Sequence, residues 1–193
     1  MQDKREQKKQ TILEVAQHFF LRFGLNKTTM DEIAKAARMG KATLYHYFRD
    51  KEQIFYEVVR EEAKTMENAI NNAVKDIADP KERLRIYINV RLENLNRLVI
   101  TYSALRDEYL GHLSSVKKFR ADFNDYETRM LSSILRDGID KKIFSTINIK
   151  EIIKMLTAVL RGLEISLITD ADIQIDKSEI DLLSDTLLFG ICK

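Results

Sequence analysis

The residue types best suited to recognition chemistry lie between Thr29 and Lys51, in the run TTMDEIAKAARMGKATLYHYFRDK. At 100° per residue, a helix from about Lys41 to Phe48 places Leu44 and Phe48 on one side, with Tyr47 at its edge, and turns Ala42 and His46 away, flanked by Thr43 and Tyr45. Lys41 and His46 can donate to base-edge acceptors, Thr43 and Tyr45 offer hydroxyls or apolar contact to a thymine methyl, and Ala42 permits close approach. Thr29, Tyr47 and Lys51 fall at helix ends or edges, where hydroxyls, an ammonium and free amides can hold phosphates.

These residues need elements to position them, and the sequence writes those elements plainly. Ile12, Val15, Ala16, Phe19, Phe20 and Phe23 form one apolar stripe ahead of Gly24, which stands where a C-terminal cap belongs. The spacing predicts that Phe19, Phe20 and Phe23 brace the two short helices that follow. Thr29 with Glu32 makes a capping box for a helix ending near Arg38, and Asp50 with Gln53 repeats that logic for a long helix reaching about Ile77. A short helix, a tight turn and a second helix with an apolar inner face and a polar outer one is the plan of a helix-turn-helix, whose second helix enters the major groove.

Further along, Asp79-Pro80 opens a helix to about Leu98, a short helix is expected at 102–110, and another at about 116–137 with Gly138 as its break. Asn148 with Glu151 and Asp176 with Glu179 open two last helices, near 149–169 and 177–191. With one Pro and six Gly in 193 residues and 45% hydrophobic content, the chain is expected to be all-α, in about nine helices, with enough apolar material for a core. Charge is distributed unevenly. Residues 1–60 carry 12 Lys and Arg against 8 Asp and Glu, the rest 20 against 22, as expected where only the head meets a polyanion.

Other chemistries find little footing. The sequence has no P-loop, no GxGxxG and no nucleophile elbow, so no enzyme is expected. Among the three histidines, His112 has a carboxylate at i−4, Glu108, and two ligands without a third do not make a metal site. Cys192 alone cannot form an intramolecular disulfide, the charged start MQDKREQKKQ lacks an apolar signal region, and Lys154, Arg161 and Glu164 interrupt the most apolar stretch. A cytoplasmic protein without cofactor, metal or membrane span is the expectation.

The segment from Lys9 to Phe55, through ILEVAQHFFLRFGLNKTTMDEIAKAARMGKATLYHYFRDKEQIF, resembles the DNA-binding domain of the TetR family of bacterial transcriptional regulators. Thr43-Leu44-Tyr45-His46-Tyr47-Phe48 followed by Asp50-Lys51-Glu52 carries most of the likeness. The resemblance implies a head at 1–50 and an effector-binding and dimerisation body at 51–193, hence a ligand-responsive repressor that binds a palindromic operator as a homodimer. It assigns Thr29, Tyr47 and Lys51 to phosphates, and the outer face of 41–48 to bases. Two positions depart from the family pattern: Arg38 where the turn usually has Gly, which forces a non-glycine into turn geometry, and Gly40 where a Ser cap is common.

In the body, Tyr87, Asn94, Leu98, Tyr102, Leu105, Tyr109, Phe123 and Tyr126 either fill a core or line a cavity, and the resemblance favours a small-molecule pocket. A protein partner in place of a ligand, or a helical enzyme or carrier, remains the alternative. The helix near 149–169 is apolar around nearly its whole circumference, so a second subunit is expected to cover part of it. Leu156, Leu160, Leu163 and Leu167 with Leu183 and Leu187 are the candidate four-helix interface, with Arg161 and Glu164 as an ion pair inside it.

Overall fold

A computed structural model describes residues 2–101, 114–145, 148–169 and 175–189. Among these it contains eight helices: α1 Gln2–Lys27, α2 Met30–Ala36, α3 Lys41–Tyr47, α4 Lys51–Val74, α5 Pro80–Thr101, α6 Ser114–Asp140, α7 Ile149–Thr169 and α8 Lys177–Phe189. The all-α expectation holds. The helix expected at 102–110, with Tyr102, Leu105 and Tyr109, lies outside the described residues, as do Glu108, His112, Cys192 and the side chains of Leu98 and Leu167.

The helix boundaries follow local chemistry. Gly24, at φ 80°, breaks the helical path inside α1, a conformation open to glycine at little steric cost. The Thr29–Glu32 box is formed in both directions at the start of α2. At the end of α2 the chain closes with the paired bonds of a Schellman motif: Met39 N–H donates to Ala34 O at 2.9 Å and Arg38 N–H to Lys35 O at 3.1 Å. The residue in the left-handed position is Arg38, at φ 53°, so the departure from glycine seen in the sequence is met as backbone strain. Asp50 accepts from Gln53 N–H at 2.7 Å, but Gln53 reaches back to the amide of Arg49 instead of that of Asp50.

Two compact units emerge, the first holding Met1–Ala63 and Thr101–Ala121, the second Lys64–Ile100 and Asp122–Lys193. Within the first, Ile12, Ala16 and Phe20 of α1, Ile33 of α2, Leu44 of α3 and Ile54 of α4 are all fully buried in one cluster. Phe20 meets Phe55 edge-on, ring centroids 5.5 Å apart. The bracing role predicted for three phenylalanines belongs to Phe20 alone. Phe19 is half-buried, and Phe23 lies exposed beneath the guanidinium of Arg22, 5.2 Å from its ring.

The second unit is organised around a buried ion pair, Arg91 of α5 with Glu127 of α6, to which the Tyr87 hydroxyl donates at 2.7 Å. Glu164 of α7 reaches Arg91 at 3.6 Å, and Phe123 lies 5.7 Å beneath the same guanidinium. The expected Arg161–Glu164 pairing is therefore replaced: Glu164 faces Arg91, and Arg161 is exposed. Along α5 and α8, Asn89 donates to Asp181 at 2.7 Å and accepts from Ser184 at 2.5 Å.

Gly138 is not a helix break. The helix runs through it to Asp140 and closes only after Lys142, at φ 58°, with Ile143 N–H and Phe144 N–H both donating to Gly138 O at 2.8 and 3.0 Å. That fold-back lays the buried Phe144 ring across Gly138, where an added Cβ would sit 2.1 Å from ring carbon Cδ2. The glycine is required for close approach. Gly138→Ala is expected to cost about 1–3 kcal/mol in chemical denaturation, with part of the loss recovered when Phe144→Leu is added to the same chain. Arg38→Gly has the opposite sign: removing the left-handed penalty outweighs the extra freedom of glycine in the unfolded chain, for a gain of roughly 0.5–1 kcal/mol by the same measurement.

Candidate nucleic-acid interface

The helix α3 is only seven residues long, about two turns, and such a helix does not persist in water unaided. Leu44 and the capping residue Phe48 hold it, both buried in the first unit's core, and Tyr47 packs at the edge of that cluster. Its other face is open. Lys41, Ala42, Tyr45 and His46 are exposed and Thr43 is half-buried, so the five residues predicted to meet bases share one outward surface. Tyr45 is 46% exposed, high for an aromatic ring. The His46 and Tyr47 rings meet at 87°, centroids 5.6 Å apart, which braces the imidazole from one side.

Electrostatics around this surface are tightly arranged. The Lys41 ammonium pairs with Asp31 of α2 at 2.7 Å, and the hydrogen bond and charge of Asp31 raise the lysine above its ordinary range. Thr29 gives its hydroxyl to the Glu32 carboxylate at 2.7 Å and its amide to the same oxygen at 2.8 Å, which holds Glu32 below the usual carboxylate range. The start of α2 is accordingly secured above that range and loosens as the pH falls through the lowered value. Arg49 beside Asp50 likewise holds that carboxyl low. Tyr47 lines an open groove of about 690 Å³ with Arg5 and Lys9 of α1 and Gln53 and Glu57 of α4, where Lys9 pairs with Glu57 at 2.9 Å.

Lys51 is placed differently from the surface predicted for it. Its ammonium donates to the carbonyls of Leu25, Asn26 and Thr28 at 2.8, 3.1 and 3.2 Å. Sequence reasoning missed both this cage and the Asp31–Lys41 pair. The first has no signature, because any residue supplies a carbonyl. The second depends on the turn at Arg38, which brings residues ten apart together.

The body candidates are mostly accounted for by internal partners. Tyr87 and Phe123 belong to the Arg91–Glu127 cluster, where burial and the neighbouring carboxylate push the Tyr87 phenol well up. Asn94 donates to Val90 O at 2.7 Å. The Tyr126 hydroxyl points to Asn71 Oδ1 at 3.1 Å and Glu67 O at 3.3 Å, and burial raises it too. On α7, Leu156 and Leu160 are buried in their own unit and are not available to a second subunit, a correction that moves the outward positions one residue back to Met155 and Val159; Ile165 is exposed as well. Leu163, Leu183 and Leu187 are half-buried. Met155 is 63% exposed and Leu182 on α8 68%. Among the described residues no helix is long and apolar enough to cross a membrane, and none gathers three or more metal-ligating side chains.

Residues 12–58 match the family model of bacterial regulatory proteins, tetR family. The chain is 40% identical over 68 residues to the HTH-type transcriptional regulator YhgD of Bacillus subtilis, covering 35% of this chain and 36% of that one. It is 28% identical over 117 residues to the HTH-type transcriptional repressor AcnR of Corynebacterium glutamicum, covering 58% and 61%. The chain thus spans between about a third and three fifths of these curated relatives. Over nearly the whole fold, a transcriptional regulator from Cytophaga hutchinsonii superposes with a TM-score of 0.77 at 28% identity, covering 94% of this chain and 97% of that one. Residues 12–58 thus carry the helix-turn-helix of the TetR family of bacterial regulatory proteins, and the helical architecture resembles that of a solved transcriptional regulator.

Proposed function

We propose that the protein is a homodimeric, ligand-responsive repressor, in which a head at 1–50 binds a palindromic operator and a body at 51–193 binds an effector and pairs the subunits. The observation that carries this reading is α3 itself, a seven-residue helix anchored through Leu44 and Phe48 that leaves Lys41, Ala42, Tyr45 and His46 exposed. Ala42, Thr43, Tyr45 and His46 meet base edges in the major groove, and Thr29 and Tyr47 hold phosphates at its rim. Lys41 reaches DNA by leaving Asp31, a solvent-exposed pair of the kind worth only about 0–1 kcal/mol. AcnR, a named transcriptional repressor, supports repression as the outcome.

The exposed apolar residues Met155, Val159 and Ile165 of α7, with Leu182 on α8, supply surface for the second subunit, together with the half-buried Leu163, Leu183 and Leu187. Two recognition helices then fall in successive major grooves, about 34–36 Å apart. Within the second unit the candidate effector residues are Tyr87, Asn94, Phe123 and Tyr126, which favour an apolar or mixed-polarity molecule. Because α4 starts beside α3 and its residues continue into the second unit, an effector that binds a conformation with altered spacing more tightly than the DNA-bound one releases the operator. Equal affinity for both would shift nothing.

The deciding experiment is selection of bound sequences from random duplex DNA, followed by titration of the enriched site at several salt concentrations. A palindrome with half-sites one helical turn apart and an affinity that falls as salt rises is expected; no enrichment, or binding indifferent to salt, overturns the reading. In the same assay His46→Ala relaxes preference at one or two base pairs per half-site, by about 1–3 kcal/mol each, and leaves the salt slope intact. Val159→Asp is expected to give a folded monomer by analytical ultracentrifugation; a dimer of undiminished affinity would remove α7 from the subunit interface.

A further inference from the structure

The helix α1 begins at Gln2, but its contribution to the core of the head begins only at Ile12. The turns before that are exposed from Lys4 through Lys8, and Lys9 is half-buried. At 100° per residue Lys4, Arg5, Lys8 and Lys9 fall within an arc of roughly 140°, with Glu6 and Gln10 outside it. The same arc holds Ile12 and Ala16, so the face that packs into the core continues past its edge as a stripe of cations.

Packing does not account for that stripe. Lys4 with Lys8 and Arg5 with Lys9 are like charges at i,i+4, a spacing that destabilises an isolated helix. Lys9 is compensated by Glu57 of α4 at 2.9 Å, and Glu57 also takes Arg60 at 3.0 Å, so that cluster keeps one positive charge in excess. Among the described residues Lys4, Arg5 and Lys8 form no ion pair. A charge pattern that weakens the free helix fits a polyanion that relieves it.

The groove of about 690 Å³ shows where that polyanion would run. Arg5, Glu6 and Lys9 of α1 line it together with Tyr47 at the end of α3, Phe48, and Gln53 and Glu57 of α4. Tyr47 thus belongs to two surfaces, the edge of the recognition helix and the wall that faces the cationic stripe. Lys4 and Lys8 stand one turn apart, about 6 Å along α1, and successive phosphates of one strand advance about 3.4 Å along the duplex axis. The stripe matches two or three phosphates.

We propose that the first turns of α1 are a second contact to the DNA backbone: Lys4, Arg5 and Lys8 bind phosphates beyond the base pairs that α3 reads, on the strand that passes Tyr47. This rests on the reading of α3 as the operator-binding helix. Lys9 stays with Glu57 and holds the stripe against α4.

The test compares the full chain with a Lys4→Gln/Arg5→Gln/Lys8→Gln variant, and with Arg129→Gln/Lys142→Gln/Lys150→Gln, which removes as much charge from exposed positions of the second unit. Affinity is titrated against salt for the selected operator and for unrelated duplex, and each phosphate of the operator is neutralised in turn as a methylphosphonate. The α1 variant is expected to lose about tenfold or more on both duplexes alike, with a salt slope shallower by about two to three, while the second-unit variant behaves as the parent. Neutralised phosphates outside the base pairs read by α3 are expected to weaken the parent and leave the α1 variant indifferent.

An unchanged slope in the α1 variant, an equal change in the second-unit variant, or identical phosphate maps for parent and α1 variant each overturn the proposal. A parent that enriches no sequence but binds duplex removes the operator reading alone, since the slope on unrelated DNA still decides the α1 contact. A parent that binds no duplex removes both.

Discussion

A helix of two turns cannot hold itself, and that constraint organises the head. Each apolar side chain that α3 buries contributes about 1.5–3 kcal/mol, so Leu44 and Phe48 together supply what an isolated heptapeptide lacks. The requirement falls only on the inner face. The outer face is released from packing, and residues that stabilise no helix core, a half-exposed Tyr45 and an exposed His46, can occupy it. Since α3 takes its position from α1, α2 and α4, any error in the connector or the turn is delivered to the outer face undamped. This is why the connections around α2 are so heavily secured: a glycine in a left-handed turn, a reciprocal capping box, a Schellman closure and a lysine on three carbonyls. One of these securing devices is strained, the left-handed Arg38, and the strain is tolerated because the two bonds around it are already made.

The second unit solves another problem, the burial of charge. Removing one partner of a pair as buried as Arg91 and Glu127 leaves an uncompensated ion, at a cost of about 3–5 kcal/mol. The pair therefore acts as a registry element more than as a source of stability: α5 and α6 can pack in only one alignment that keeps Arg91, Glu127 and Tyr87 together. The polar contacts between α5 and α8, through Asn89, Asp181 and Ser184, fix a second alignment in the same way. A cluster of this kind also limits what a binding partner can do there, because displacing either member without replacing its charge is prohibitive.

Features whose chemistry is local were legible in the sequence. The capping boxes at Thr29 and Asp176, the N-cap at Asn148, the proline start at Pro80, the inward Leu44 and Phe48 and the misfit at Arg38 all depend on residues within a few positions of one another. Features set by long-range geometry were not. A stripe of phenylalanines on α1 gives the face but not how far along it a core extends, so Phe23 was placed inward and lies exposed. A helix that is apolar all round has no register to read, hence Leu156 and Leu160 were assigned to a partner and belong to their own core. Gly138 looked like punctuation, because nothing in a linear sequence announces that Phe144 will fold back over it. The Arg91–Glu127 pair joins residues 36 apart and has no periodicity at all.

Magnitude, finally, separates the cations of the head by what they can do. In the free protein Lys41, Arg49 and Lys51 all have partners, so the presence of a partner does not by itself decide which of them is open to DNA. The environment of the partner does. Lys41 with Asp31 and Arg49 with Asp50 are exposed pairs, screened by solvent and exchanged for a phosphate at little cost, and in both cases the departing carboxylate is left in water. Lys51 differs because its acceptors are three neutral backbone carbonyls of the connector beyond α1, two of the contacts being partly buried, so that redirecting it to a phosphate exchanges neutral acceptors for a charged one.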